Sequence, residues 1–236
     1  MKVRLAALLT LSSLFGMTAA TDGISIYPTT LILDQKQPIE TLTIRNQSTR
    51  ETVYELAGYK WTQNDGDDVL TLDKSFIVTP PVVTLAAGEE RLVRVGLISD
   101  HPGTPGEEAY RLRISELPSP AGPSASNLNV RLQVLLPVFA KQPVMGPNLQ
   151  FSAFRDDSGR VCIDGLNMGD SHAKLVWFTD AHQPDERIPV QKYVLGKSEG
   201  RLCVDNNLGG SDTLTLGVTS AYQRGVQPYE MSIAAK

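Results

Sequence analysis

Residues 127–143 read NLNVRLQVLLPVFAKQP. Leu128, Val130, Leu132, Val134 and Leu136 take every second position, with Asn129, Arg131, Gln133 and Leu135 between them. Apolar residues at a period of two line one face of a β-strand, so the stretch predicts one long strand. It follows directly on SPAGPSASN (119–127), a run of small residues and prolines with the composition of a loop. Two readings fit the ladder. It is a core strand of a sandwich, or it is a strand presented to another protein. Alternation alone does not separate them, because either reading leaves Asn129, Arg131 and Gln133 on the opposite face.

Outward from this ladder the chain is strand after strand. ISIYPTTLIL (24–33), IETLTIRN (39–46), ETVYELAGYKW (51–61), FIVTPP (76–81), RLVRVGLI (91–98) and AYRLRISELP (109–118) are rich in β-branched and aromatic residues. NDGDD (64–68) reads as a hairpin tip with Gly66 at positive φ. Pro80 and Pro81 stop the strand before them, since proline cannot donate to a ladder. About seven strands precede residue 142, with turns at the spacing of an immunoglobulin-like sandwich. A second set follows: RVCIDGLN (160–167), AKLVWFTD (173–180), RIPVQKYVL (187–195), RLCVDN (201–206), DTLTLGVTSAY (212–222) and YEMSIAA (229–235). No segment sustains a helical period. KQPVMGPN (141–148) is the natural hinge. The expectation is an all-β chain of two domains, 21–142 and 143–236.

The first twenty residues, MKVRLAALLTLSSLFGMTAA, place Lys2 and Arg4 before an apolar run and close on Thr18-Ala19-Ala20. That is the pattern of a cleaved secretory signal (1–20), too short for a spanning helix. No other stretch is apolar enough to span a bilayer, so an exported, soluble chain is expected. The formal charge is −4, and losing Lys2 and Arg4 makes it more negative; an acidic chain speaks against nucleic acid as partner. Cys162 and Cys203 are the two cysteines, and export favours a disulfide between them over two buried thiols. No CxxC and no paired spacing of His101, His172 and His182 suggests a metal site. GKSEG (196–200) matches G-x-S-x-G, but a nucleophile elbow needs a helix after Ser198. RLCVDNN follows and reads as strand, so a hairpin turn is the better reading. NQS (46–48) is a glycosylation sequon of consequence only in a glycosylating host. The acidic pairs Glu107/Glu108 and Asp156/Asp157 sit in loop-like surroundings.

The strongest constellation is an ordered one. TPPVVTLAAGEERLVRV (79–95) is followed by EEAYRLRISELP (107–118), then by the loose segment and the ladder. In that order and spacing the sequence from about 24 to 143 resembles the PapD-like periplasmic pilus chaperones, whose pattern is TPP…L.PG…VR, a strand ending in E(I/L)P, a variable loop and an alternating strand G1. The divergence resembles the archaic branch of the chaperone–usher family.

The resemblance implies two immunoglobulin-like β-sandwich domains in an L or boomerang, no enzymatic activity, no cofactor or nucleotide and no small-molecule substrate. It implies pilus subunits as partners, which are immunoglobulin-like folds lacking their last strand, and an outer-membrane usher as the recipient, in the periplasm. G1 would enter the subunit's open groove, with main-chain bonds and alternate side chains holding it. Leu128, Val130 and Leu132 fall on the donor positions, and Val134 extends the set. Each aliphatic side chain fully buried there contributes roughly 1.5–3 kcal/mol, against about 0–1 kcal/mol for a surface ion pair.

The family also anchors the subunit's C-terminal carboxylate with an Arg on the first strand and a Lys on G1. Thr30 and Pro137 stand at those positions here, and neither carries charge. Arg111 and Arg113, on one face of their strand, and Lys141 at the hinge are the replacement candidates, since a guanidinium holds a carboxylate by two parallel hydrogen bonds; for each, a solvated or internally paired charge is the alternative. Glu108 would be an internal partner ordering the cleft. Two other classes stay open. A pilin or adhesin would need an N-terminal donor extension, for which 21–24 is too short. A secreted esterase would need Ser198.

Overall fold

The computed structural model describes residues 23–34, 36–98, 106–118, 130–141, 145–204, 211–221 and 224–234. The leader 1–20 and donor candidate Leu128 lie outside them. Strands in the first half form two sheets. β1 (Ile24–Tyr27), β3 (Ile39–Asn46), β8 (Glu90–Leu97) and β6 (Phe76–Thr79) pair in the order β1-β3-β8-β6. The other sheet runs β2 (Leu31–Leu33), β10 (Gln133–Lys141), β9 (Glu107–Glu116), β4 (Thr52–Asn64), β5 (Asp67–Leu72), with β7 (Val82–Leu85) also on β4.

Alternation decides what lies between the sheets. Leu42 and Ile44 of β3, Val93 and Val95 of β8, Leu112 and Ile114 of β9, and Leu136 and Val138 of β10 meet in one core. Each such side chain removed from water contributes roughly 1.5–3 kcal/mol. The stretch 24–33, read as one strand, is two. Pro28 lacks the N–H a ladder needs, and the chain crosses there from one sheet to the other. The hairpin tip is Asp65-Gly66, with φ 51° and 86°. Two residues at positive φ are what a two-residue turn between right-twisted strands requires. The strand it leads into, β5, is exposed throughout and carries no burial pattern to read.

In the second half a seven-stranded sheet runs β14 (Ile188–Val194), β13 (Ala173–Asp180), β16 (Thr213–Thr219), β17 (Gln227–Ala234), β11 (Leu149–Arg155), β12 (Val161–Asn167), β15 (Ser198–Val204). β17 follows β16 over 227–232, then turns to β11 at Ile233 and Ala234, so the sheet folds around its own core of Ile163, Leu175, Phe178, Leu214, Leu216 and Val218. The chain is thus all-β, in two immunoglobulin-like units. Cys162 and Cys203 face each other across β12 and β15 and are bonded.

Two motifs lose their functional reading. Ser198 opens strand β15, with Lys197 at positive φ before it and strand, not helix, running on from it to Val204. Asn46 of the sequon is fully buried, its amide donating to Arg50 O and Leu85 O.

At the junction after the hinge, a Cβ on Gly169 would stand 2.3 Å from Gly146 O and 2.5 Å from Asn148 N. Both are main-chain atoms that cannot rotate away. Gly169→Ala is therefore expected to destabilise the second unit by about 1–3 kcal/mol, measured by urea unfolding. An unchanged midpoint would mean the hinge backbone shifts without cost.

Candidate functional site

β10 pairs with β9 over its whole length but with β2 only at Val138–Ala140. From Gln133 to Pro137 its second edge has no neighbour among the described residues. An open edge of unpaired N–H and C=O groups is a template for a further strand. The ladder predicted over 127–143 is shorter than expected. β9 ends at Glu116, and pairing ends with it: Glu116 N donates to Leu132 O at 2.9 Å, and Leu132 N to Glu116 Oε2 at 3.3 Å. Val130 and Leu132 lie beyond β10, 72% and 37% exposed.

The parity of the row is informative. Leu136 and Val138 are buried in the core and Val134 packs on its rim. Val130 and Leu132 have the same parity, so they continue that row past the end of their own sandwich. Gln133 and Arg131 are exposed on the other parity, which removes the difficulty of polar residues facing inward.

The outer face of the same sheet forms a cleft with the second unit. In the ladder Arg111 stands opposite Pro137 on one side and Tyr59 on the other. A guanidinium on β9 therefore projects beside the uncharged Pro137. Thr29, Thr30, Asp68, Leu70, Arg111 and residues 134–137 line one wall, and Lys174, Gln191 and Tyr193 the other; the cavity is about 630 Å³. Arg111 lies over the Trp61 ring at 3.6 Å and 5.4 Å from the Tyr193 ring. Burial lowers its pKa, and nearby Asp68 partly opposes that. It remains a cation at any physiological pH.

Arg113 is one row further out, against the Tyr59 ring and 3.5 Å from Glu55, and does not line this cavity. Lys141 pairs through its backbone with Glu107, four residues along β10 from Pro137. Glu108 does not order the cleft: it binds Lys60 at 2.8 Å and the Tyr110 hydroxyl at 3.0 Å. It shares the parity of Tyr110, opposite to that of Arg111. Sequence reasoning missed Asp68, Lys174, Gln191 and Tyr193. Nothing local marks them, because Asp68 comes near Arg111 through the β9–β4–β5 pairing and the other three reach the cleft through the packing of one unit on the other.

That packing is specific. Trp61, Ala109 and Phe139 from the first unit cluster with Tyr193 and Leu195 from the second. The His172 ring stacks on Phe139, centroids 3.5 Å apart, and its Nδ1 meets Glu107 Oε1. Gln63 Nε2 donates to Tyr193 O at 2.8 Å and Gln63 Oε1 accepts from Leu195 N at 2.9 Å. The β4–β5 tip reaches over as well, with Arg201 N donating to Gly66 O at 3.2 Å.

A family model described as pili and flagellar-assembly chaperone, PapD N-terminal domain, matches residues 23–143. No curated protein sequence matches the chain. Among solved structures it is similar to the CsuC–CsuE chaperone–tip adhesion subunit pre-assembly complex from archaic chaperone-usher Csu pili of Acinetobacter baumannii (TM-score 0.67, 19% identity, 90% of this chain and 99% of that one). It is similar also to the Salmonella enterica SafA pilin in complex with the SafB chaperone (0.63, 17%, 90% and 97%), and to the E. coli chaperone DraB (0.60, 15%, 89% and 97%).

Proposed function

Because the chain belongs to the PapD-like family of pilus-assembly chaperones, a non-enzymatic family, we propose that it caps pilus subunits in the periplasm by lending them a strand, and delivers them to an outer-membrane usher. The domains are 21–142 and 143–236 behind a cleaved leader. The donor set is Leu128, Val130, Leu132 and Val134, and release follows when another subunit's extension replaces the strand. One observation carries this reading: the open edge of β10 adjoins an exposed apolar row that is the direct continuation of the chaperone's own core row. A partner groove laid on that edge would extend one sheet and one core across two molecules. A structural pilin has no evident use for an unfilled edge on a strand that already completes its own sandwich. The archaic placement draws support from the fold likeness to the Csu complex.

The subunit's terminal carboxylate is held by Arg111. This residue occupies the place beside Pro137 where the family's G1 lysine would project, and the aromatic stack holds its guanidinium across the cleft. Arg113 and Lys141 are weaker candidates on position. Co-expression with an exported subunit, followed by co-purification, tests the assignment. Arg111→Gln is expected to reduce recovered complex at least tenfold, as loss of a partly buried charge-assisted contact of about 1.5–3 kcal/mol implies. Arg113→Gln should change it little. Equal capture by both variants and wild type would remove the anchor from Arg111.

A further inference from the structure

Among the described residues the cleft contains one acidic side chain of its own. Among the residues lining it only Asp68 is acidic. From β5 it places Oδ2 4.0 Å from Arg111 Nη2 and Oδ1 3.6 Å from Lys192 Nζ, while Gln63 Nε2 donates to Oδ1 at 2.8 Å. The Arg111 contact is at the outer limit of an ion pair, and nothing about it is bidentate. The Arg111 side chain is only 14% exposed. A guanidinium this far from water, matched by one loose carboxylate, has donors to spare for a second anion. Stacking on Trp61 fixes the plane of those donors without using them. The hairpin carrying Asp68 is tied to the second unit through Gly66 and Gln63, so an incoming anion can turn the Asp68 side chain aside but not move the strand.

We propose that Asp68 is a tethered rival for the carboxylate subsite: it shares Arg111 in the free protein, yields it to the chain end of a bound subunit, and is then held by Lys192. The inference rests on the assignment of Arg111 as anchor. Its consequence is a weaker grip on the subunit end than Arg111 alone would give, and a ready replacement anion when the subunit leaves. The sign is opposite for the two neighbours. Removing the Asp68 charge frees Arg111. Removing the Lys192 charge leaves Asp68 with Arg111 as its only basic partner of the two, and blocks the site.

The test uses the full mature chain, labelled with nitrogen-15, and two probes: an octapeptide of alternating valine and threonine with a free terminal carboxylate, and the same peptide amidated. Amide shifts of residues 109–113 and 133–137 report binding. Asp68→Asn, which keeps an oxygen for Gln63, is expected to bind the acid about fivefold tighter, the scale of one partly exposed ion pair, with the amide unchanged. Lys192→Gln is expected to bind the acid more weakly. Arg111→Gln should abolish the preference for acid over amide. If Arg111→Gln abolishes the preference while Asp68→Asn leaves acid affinity unchanged or lower, Asp68 is no rival and the anchor stands. If Arg111→Gln retains the preference, or wild type has none, the anchor falls and this inference with it. Tighter acid binding by Lys192→Gln also overturns it.

Discussion

Val130→Asp is expected to abolish capture of an exported subunit while leaving the chaperone's own unfolding midpoint where it was. The two halves of that result come from one geometry. Val130 is 72% exposed in the free chain, so a carboxylate there meets water and changes stability by no more than about 0.5 kcal/mol. In the proposed complex the same side chain sits inside the partner's groove. There the variant loses the valine's burial, roughly 1.5–3 kcal/mol, and places an unpaired carboxylate in an apolar site, which costs several kcal/mol more. The sum is about 4 kcal/mol or greater, a thousandfold in affinity. Co-purification against a melting curve of each free protein separates binding from folding. Leu132→Asp should behave alike. Val138→Asp, on the same row but 0% exposed, should instead unfold the first unit. Undiminished capture by Val130→Asp with an intact fold would sink strand donation at this position.

The second large effect belongs to the disulfide. Cys162 and Cys203 lie directly opposite in the β12–β15 pair, 41 positions apart in sequence. Closing a loop of that length in the unfolded chain corresponds to about 4 kcal/mol on the chain-entropy model. Cys162→Ser/Cys203→Ser is expected to lose that amount, read as a lower urea midpoint. Reductant should shift the wild type to the same place. β15 is the edge of its sheet and carries Arg201, whose N–H meets Gly66 of the first unit. Loss of the bond should therefore also speed hydrogen exchange at Arg201. If the double variant unfolds with the wild type, the bond constrains nothing that the β12–β15 ladder does not already hold.

The class of fold was legible because its signal is local. Alternation in RLVRVGLI or AYRLRISELP depends on the pleat of one strand, and the structure buries Val93, Val95, Leu112 and Ile114 as that pattern requires. Asp65-Gly66 announced its turn by backbone chemistry alone. Where local signal was missing, so was the reading. β5 has no buried side chain to create a period, and residues 149–155 were not recognised as a strand. The ladder's length was overread for a related reason. Side-chain alternation runs on through residue 130, but a strand exists only as far as a neighbour pairs with it, and β9 stops at Glu116.

The sequence by itself determined an all-β chain, the alternating apolar row from Leu128 to Leu136, the absence of a charge at Thr30 and Pro137, and the family. It offered Arg111, Arg113 and Lys141 as anchor candidates, Arg111 foremost, but not their surroundings. Tertiary structure decided those: β9–β10 register sets Arg111 against Pro137, the β9–β4–β5 pairing brings Asp68 near it, and the packing of Trp61 and Phe139 on Tyr193 brings Lys174 and Gln191 to the same cleft. The physical reason is range: periodicity is written by bonds between neighbours in the chain, whereas a charge site is written by which distant strands end side by side.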